Sequence, residues 1–290
     1  MSPSKSSKSL FRKGSDLTIH PFASLVLKNT RLPRTGLARI RFIMRLAVGL
    51  EPEFKNLKEP PDTWDIPSFG EETEEEKYHQ NISDYLIALT ELIDRLEAVQ
   101  IYLSFTSFLS KKMNDNQISV EEWINYHYSN HVLTTLSVYD TALCLFNATA
   151  QLNIKQSSGF DENVRNKIKG HNEYEDTKSA LDNIKSKIDQ NRTPRNLFVH
   201  SGENPSHDAL TLINIVEIYN IGSRYSDNGN EETTQKRKEW ANREAANRLK
   251  NELEKETDDI YHLLLALFSA LQPIYEQNLE NHKQTSSKTS

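Results

Sequence analysis

The strongest constraint on the fold is the stretch of roughly forty residues at 72–112, where apolar side chains return every three or four positions. This spacing lines up one face of an α-helix, whereas a β-strand would need strict alternation. The stretch opens on acidic residues, whose negative charge stabilises the start of a helix. It therefore predicts one long helix with the following apolar face: Tyr85, Leu89, Leu92, Leu96, Val99 and Leu103.

The same helical spacing continues along the chain. Ser119 followed by Glu122 predicts a capping box, in which the two residues cap each other's backbone N–H groups. Pro273 is expected to bend or end the last helix. Five helices are expected after the first, over 119–154, 161–169, 173–190, 208–221 and 233–280.

These helices define the fold class. Only 9 glycines and 10 prolines occur among 290 residues, which is too few for a turn-rich β-fold. We therefore expect an all-α protein, a bundle of long antiparallel helices with a basic, partly irregular N-terminal arm. The expected domains are a basic arm and Pro-rich linker at 1–70, a helical bundle domain at 71–281 and a disordered tail at 282–290.

Charge is concentrated in the arm. Residues 1–45 contain ten Lys or Arg and one acid, a charge of +9, which leaves −15 for the rest of the chain. A basic arm of this kind suits a polyanion or an acidic surface of a second chain. Its composition is also typical of an organellar transit peptide, and an amphipathic helix expected over 37–48 leaves membrane-surface binding as a third reading.

Several classes of site are disfavoured. The single cysteine, Cys144, rules out a disulfide framework or a multi-thiolate metal site, and we expect it to be a small buried apolar residue. No apolar run approaches the roughly 20 residues that cross a bilayer, so we expect a cytoplasmic protein with no membrane contact. His127 and His131 have the spacing of two metal ligands on one helix, but no third ligand follows, and we favour hydrogen-bonded histidines between helices. Neither a metal nor a cofactor is expected.

One segment carries chemistry, the decapeptide TPRNLFVHSG at 193–202. Thr193 and Pro194 are typical of a helix start, which places Arg195 near the beginning of a short helix and His200 near its end. A histidine can act as general acid or base, and a guanidinium binds two phosphate oxygens at once. This pair suffices for RNA cleavage in which the ribose 2′-hydroxyl is the nucleophile.

The spacing of the pair favours a dimer. Five positions on a helix leave Arg195 and His200 about 140° apart around its axis, so one chain does not easily aim both at one phosphate. A two-fold dimer would bring two copies of the segment to a shared cleft.

Arg195, Asn196 and His200 form the pattern R-N-x-x-x-H, which resembles the R-x4-6-H signature of the HEPN superfamily. The resemblance implies a helical bundle, often dimeric, with a metal-independent ribonuclease site made of Arg195 and His200, which Asn196 supports. It also implies a setting in toxin–antitoxin or antiviral defence, with RNA and an antitoxin or sensor protein as partners. Gly202 stands where adenylylated members carry a tyrosine, so that regulation is not expected. The alternative is a non-catalytic helical module that binds nucleotides, RNA or protein.

Overall fold

The computed structural model describes residues 73–105, 119–192, 196, 207–225 and 231–288. Within these ranges the chain forms six α-helices and two short 3-10 turns, and no strand, which confirms the all-α prediction. The predicted arm, the linker and the helix over 37–48 lie outside the described residues. The helices are α1 Glu74–Ser104, α2 Val120–Thr149, α3 Phe160–Lys167, α4 Glu175–Ile188, α5 Asp208–Tyr225 and α6 Glu231–Lys288, with the turns Asn172–Tyr174 and Asp189–Asn191 on either side of α4.

Capping boxes start the two longest N-terminal helices. At α2 the backbone N–H of Ser119 donates to Glu122 Oε2 at 2.7 Å, and the N–H of Glu122 donates to Ser119 Oγ at 3.0 Å, which confirms the predicted box. Thr73 and Glu76 make the same pair of hydrogen bonds at α1. Both boxes satisfy N–H groups that have no partner within the first helical turn.

The predicted end of α2 near residue 154 was wrong. The helix ends at Thr149, because Gln151 and Asn153 adopt the left-handed conformation with φ of 52° and 56°. The Asn147 side chain accepts from the N–H of Ile154 and donates to its carbonyl, both at 3.2 Å. Asparagine tolerates left-handed backbone better than most residues, so the turn forms without glycine.

The predicted end of α6 was also wrong. The helix continues through Pro273 and on to Lys288, although proline has no N–H to donate to the preceding turn. Buried apolar side chains flank the proline, with Leu271 and Tyr275 fully enclosed. We attribute the continuity of the helix to this packing, which offsets one lost hydrogen bond.

The chain divides into two compact units, each of which takes part of α1, α2 and α6. The described part of the first comprises residues 73–91, 140–184 and 262–288. In it the start of α1 lies against the end of α2, as antiparallel neighbours do, and the Tyr78 hydroxyl donates to the Thr149 carbonyl at 2.9 Å. Its largest fully buried side chains are Ile82, Leu86, Leu89, Phe146, Phe268 and Tyr275.

The described part of the second unit comprises residues 92–105, 119–139, 185–192, 196, 207–225 and 231–261, which include Asn196 and both flanks of the RNxxxH segment. In it the end of α1 lies beside the start of α2, where the rings of Tyr102 and Trp123 meet at 6.4 Å. Helices α5 and α6 complete its core. The core residues are Val99, Leu103, Val120, Ile124, Tyr128, Val132, Ala209, Ile213, Ala245, Ala246, Leu249 and Leu253.

None of the helices in the described ranges combines the length and the apolar character that crossing a membrane requires. The charged first half of α6 instead carries pairs of opposite charge one turn apart, such as Lys236 with Glu232 at 2.6 Å and Arg248 with Glu244 at 2.8 Å. Such pairs are typical of a solvated helix face.

Candidate functional site

The RNxxxH segment is described only in part. Asn196 is helical and exposed, which agrees with the helix expected to open at this point. Arg195 and His200 lie outside the described residues, so their predicted catalytic roles stay predictions. The residues on both sides of the segment, up to 192 and from 207, are described.

On the N-terminal side, Asn191 ends a 3-10 turn and is buried. Its side-chain amide donates to Glu256 Oε1 on α6 at 2.5 Å. The other carboxylate oxygen, Glu256 Oε2, lies 3.1 Å from Nε2 of His131 on α2, a ring with no exposed surface. Since an ionised carboxylate only accepts, Nε2 of His131 carries a proton in this contact.

The environment of Glu256 favours its charged form. Burial raises the pKa of the carboxyl, but the hydrogen bonds from His131 and Asn191 and the electrostatic attraction to His131 and Lys187 outweigh burial and hold the pKa below its usual range. Lys187 itself pairs with Asp259 at 2.7 Å. Glu256 is therefore a partly buried anion that accepts from two separate parts of the unit.

On the C-terminal side, His207 stands immediately before α5. Its Nδ1 accepts from the backbone N–H of Ala209 at 3.1 Å, so it caps the helix, and its Nε2 lies 3.0 Å from Glu252 Oε2 on α6. The first contact fixes Nε2 as the protonated nitrogen. The ring of Tyr128 packs edge-on against His207 at 5.0 Å.

The residues on the two sides of the segment contact adjacent turns of α6. Glu252 and Glu256 are four residues apart on α6, about 6 Å along its axis. Glu256 holds Asn191 and Glu252 holds His207. The described residues on the two sides of the RNxxxH segment therefore bond to adjacent turns of α6.

The histidine pair on α2 has two different environments. His131 is hydrogen-bonded between helices, as predicted. For His127 that prediction was wrong: it is only 4% exposed, and neither ring nitrogen has a hydrogen-bond partner in the part of the chain that the structure describes. Aromatic rings surround it instead, with Tyr102 stacked at 4.9 Å and Trp123 edge-on at 4.3 Å. Burial lowers the pKa of His127 to about 4.

The sequence analysis did not identify the contacts on the two sides of the RNxxxH segment. It gave no role to His207, Asn191, Glu252 or Glu256. A local signal existed for His207 alone, because a polar side chain directly before a helix is a candidate cap. The carboxylates carried no such signal, since α6 contains many acids that are solvated.

A family model described as Cthe2314-like HEPN matches residues 72–271. The matched region contains the RNxxxH segment, both of its flanks and the whole described part of the second unit. No curated protein and no solved structure matches the chain.

Proposed function

Since the chain belongs to the HEPN family, we propose that it is a metal-independent RNA endonuclease that cleaves through attack of the ribose 2′-hydroxyl. One observation supports the proposal: Arg195, Asn196 and His200 occur inside the matched region, between Asn191 and His207, which bond to adjacent turns of α6. Fixing the residues on both sides of a segment limits how far its side chains move, and a catalytic pair needs such restraint.

The proposed chemistry assigns one task to each side chain. His200 removes the proton from the 2′-hydroxyl or protonates the departing 5′ oxygen, and such proton transfer is typically worth about 10²–10⁴-fold in rate. Arg195 binds the phosphate through two parallel hydrogen bonds and offsets the charge that develops on it. Asn196 supports the arginine. The products are a 2′,3′-cyclic phosphate and a 5′-hydroxyl.

We propose further that the active form is a homodimer. In the predicted short helix Arg195 and His200 are about 140° apart around the axis, so a second copy would complete the site. The exposed apolar face of α5 suits this contact, because Ile215, Ile218 and Tyr219 are each more than half exposed and α5 begins soon after His200. An apolar face of this kind is typical of an interface.

The proposed setting is cytoplasmic and follows from the family. HEPN ribonucleases act in toxin–antitoxin and antiviral systems, so we expect an antitoxin or sensor protein as a partner, and the basic residues at 1–45 as a clamp for RNA or for the second subunit.

The test is cleavage of end-labelled RNA by purified protein in EDTA. We expect wild type to cut, and His200→Ala and Arg195→Ala to lose at least about 100-fold in rate. His171→Ala is the matched control, because His171 is an exposed histidine of the first unit that pairs with Glu173, and it should cut normally. A 2′-deoxy nucleotide at the scissile position should block cleavage.

A mixture of the two inactive variants tests the shared site. A heterodimer of Arg195→Ala and His200→Ala contains one site with an intact Arg and an intact His, so a re-equilibrated mixture should regain up to about a quarter of wild-type activity. No recovery would place both groups in one chain. Ile218→Asp should weaken the dimer, as measured by light scattering.

The alternative is a non-catalytic helical module that binds nucleotides, RNA or protein. Folded wild type that cuts none of several RNA classes, in the same buffer in which it binds one of them, would favour the module over the enzyme.

A further inference from the structure

We propose that a second copy of this chain packs antiparallel on the outer face of α5, with Gly222 at the closest approach of the two helices. The inference rests on the homodimer proposed above and names the contact that forms it. Helix α5 is apolar on two opposite sides, since Ile213 lies in the core of the second unit while Ile215, Ile218 and Tyr219 are exposed. A helix that is apolar all round is normally covered on both sides. The outer face of α5 is therefore a candidate contact for another chain.

Neither the backbone nor the packing within one chain explains Gly222. The residue is helical, and the glycines with positive φ in the described part of the chain are Gly159 and Gly170. A Cβ built on Gly222 meets no atom within 4 Å, so no neighbouring element needs the space. Glycine is also a poorer helix former than alanine, because it loses more backbone freedom. The close approach of a second helix accounts for a residue without a side chain at this position.

Gly222 lies in the middle of the outer face of α5. Successive residues of a helix are about 100° apart, so Ile215 and Gly222 differ by only about 20° around the axis and lie two turns apart along one line. Ile218 and Tyr219 flank this line by about 50° on either side. The outer face is therefore a shallow depression at Gly222 with three large apolar side chains beside it.

The outer face also has the composition of a protein interface. Between residues 211 and 222 the one charged side chain is Glu217. The guanidinium of Arg237 on α6 lies 4.9 Å from the centre of the Tyr219 ring, which supports this ring from within its own chain. The cores of interfaces are depleted of charge and enriched in aromatic residues. An apolar partner therefore fits this face better than a nucleic acid does.

A two-fold axis between residues 218 and 219 makes this face complementary to itself. Antiparallel pairing about that axis places Ile215 opposite Gly222 of the partner subunit and Ile218 opposite Tyr219 of the partner subunit. A large side chain then meets the position without a side chain in both directions, as a symmetric contact requires. Each 18-residue helix is about 27 Å long, which gives a small interface, so we expect a reversible dimer with a dissociation constant in the micromolar range.

The first experiment is disulfide cross-linking of the full chain, which measures the register directly. In the double variant Ile215→Cys, Gly222→Cys the two thiols are about 10 Å apart along one helix, too far for a bond within the chain, but opposite each other across the axis. Mild oxidation should convert most of this variant to a covalent dimer, and the buried Cys144 does not compete.

The matched control has the same spacing on another face. Asn214 and Ile221 are both exposed and lie about 100° around α5 from the line of Ile215 and Gly222. The double variant Asn214→Cys, Ile221→Cys should cross-link at least tenfold more slowly. Equal rates for the two double variants would overturn the proposed register.

The second experiment measures the dissociation constant by analytical ultracentrifugation. Gly222→Ile places a branched side chain where the helices meet and should raise the dissociation constant at least tenfold, although the position is open within one chain. The exchange Ile215→Gly, Gly222→Ile again sets a large side chain opposite a glycine and should return the dissociation constant to within about threefold of wild type. An exchange variant as weak as Gly222→Ile would contradict the pairing. Should Gly222→Ile fold poorly, Gly222→Ala decides, with an expected rise of at least threefold.

The outcomes separate this contact from the proposed activity. A wild type that stays monomeric up to about 100 µM would assign the outer face of α5 to a different partner and overturn the proposal. A wild-type dimer whose affinity Gly222→Ile leaves unchanged would overturn the contact, while the proposed dimer would form through another surface. A protein that dimerises and cross-links as expected but cuts no RNA would support the contact and refute the proposed function.

Discussion

The buried His127 makes the stability of this protein depend on pH in a direction that can be worked out. Its ring is 4% exposed, and burial lowers its pKa to about 4 from the ordinary 6.5. In the unfolded chain the imidazole takes up a proton as the pH falls below about 6.5, whereas in the folded protein it resists until about pH 4. Stability is therefore complete above about pH 6.5 and is lost as the pH falls toward 4.

The size of this loss follows from the difference between the two pKa values. Each pH unit between them is worth about 1.36 kcal/mol, which gives roughly 3.4 kcal/mol as an upper limit. The rings over His127 admit solvent, since Tyr102 is 46% and Tyr126 67% exposed. Screening reduces the contribution, and we expect about 2 kcal/mol of the free energy of unfolding to depend on this one side chain.

The substitution His127→Phe isolates the effect. Phenylalanine keeps an aromatic ring against Tyr102 and Trp123 but cannot bind a proton. We expect the free energy of unfolding of the variant, relative to wild type, to rise by about 2 kcal/mol between about pH 7.5 and 4.5. Urea unfolding followed by circular dichroism measures it.

A neighbouring apolar substitution serves as the control. Ile124→Val removes one fully buried methylene on the same helix and should cost about 1 kcal/mol at every pH. A difference between His127→Phe and wild type that stays constant with pH to within about 0.5 kcal/mol would refute the argument from burial.

Two further predictions concern single side chains. Ser119→Ala removes the acceptor of the Glu122 N–H at the start of α2, so it should lower the free energy of unfolding by about 1 kcal/mol. Urea unfolding measures this, and no change would mean that water caps the helix equally well. Burial raises the pKa of the Cys144 thiol to about 11 from 9, so at about pH 8 the folded protein should react with iodoacetamide roughly 100-fold more slowly than the urea-unfolded chain. Mass spectrometry of the alkylated fraction against time measures it, and equal rates would contradict the buried position.

The helices could be predicted because their signals are local. Apolar spacing fixed the phase of α1 well enough that Leu89, Leu96, Val99 and Leu103 are all buried. Tyr85 and Leu92 of the predicted stripe are only partly buried, whereas Ile82, Leu86 and Ile93 are buried and were left out of it. The ends of α2 and α6 were predicted less well, because left-handed residues and packing around a proline decided them.

By itself, the sequence determined the all-α class, the capping box at Ser119 and the RNxxxH pattern, because each depends on residues within one or two helical turns of one another. Only the tertiary structure decided which acids of α6 make long-range contacts. In the sequence Glu256 resembles the other acids of α6. It differs from them in the structure because Asn191, 65 residues away, and His131, 125 residues away, contact its two carboxylate oxygens. Contacts over such separations depend on how the helices pack, and side-chain spacing along one helix carries no information about them.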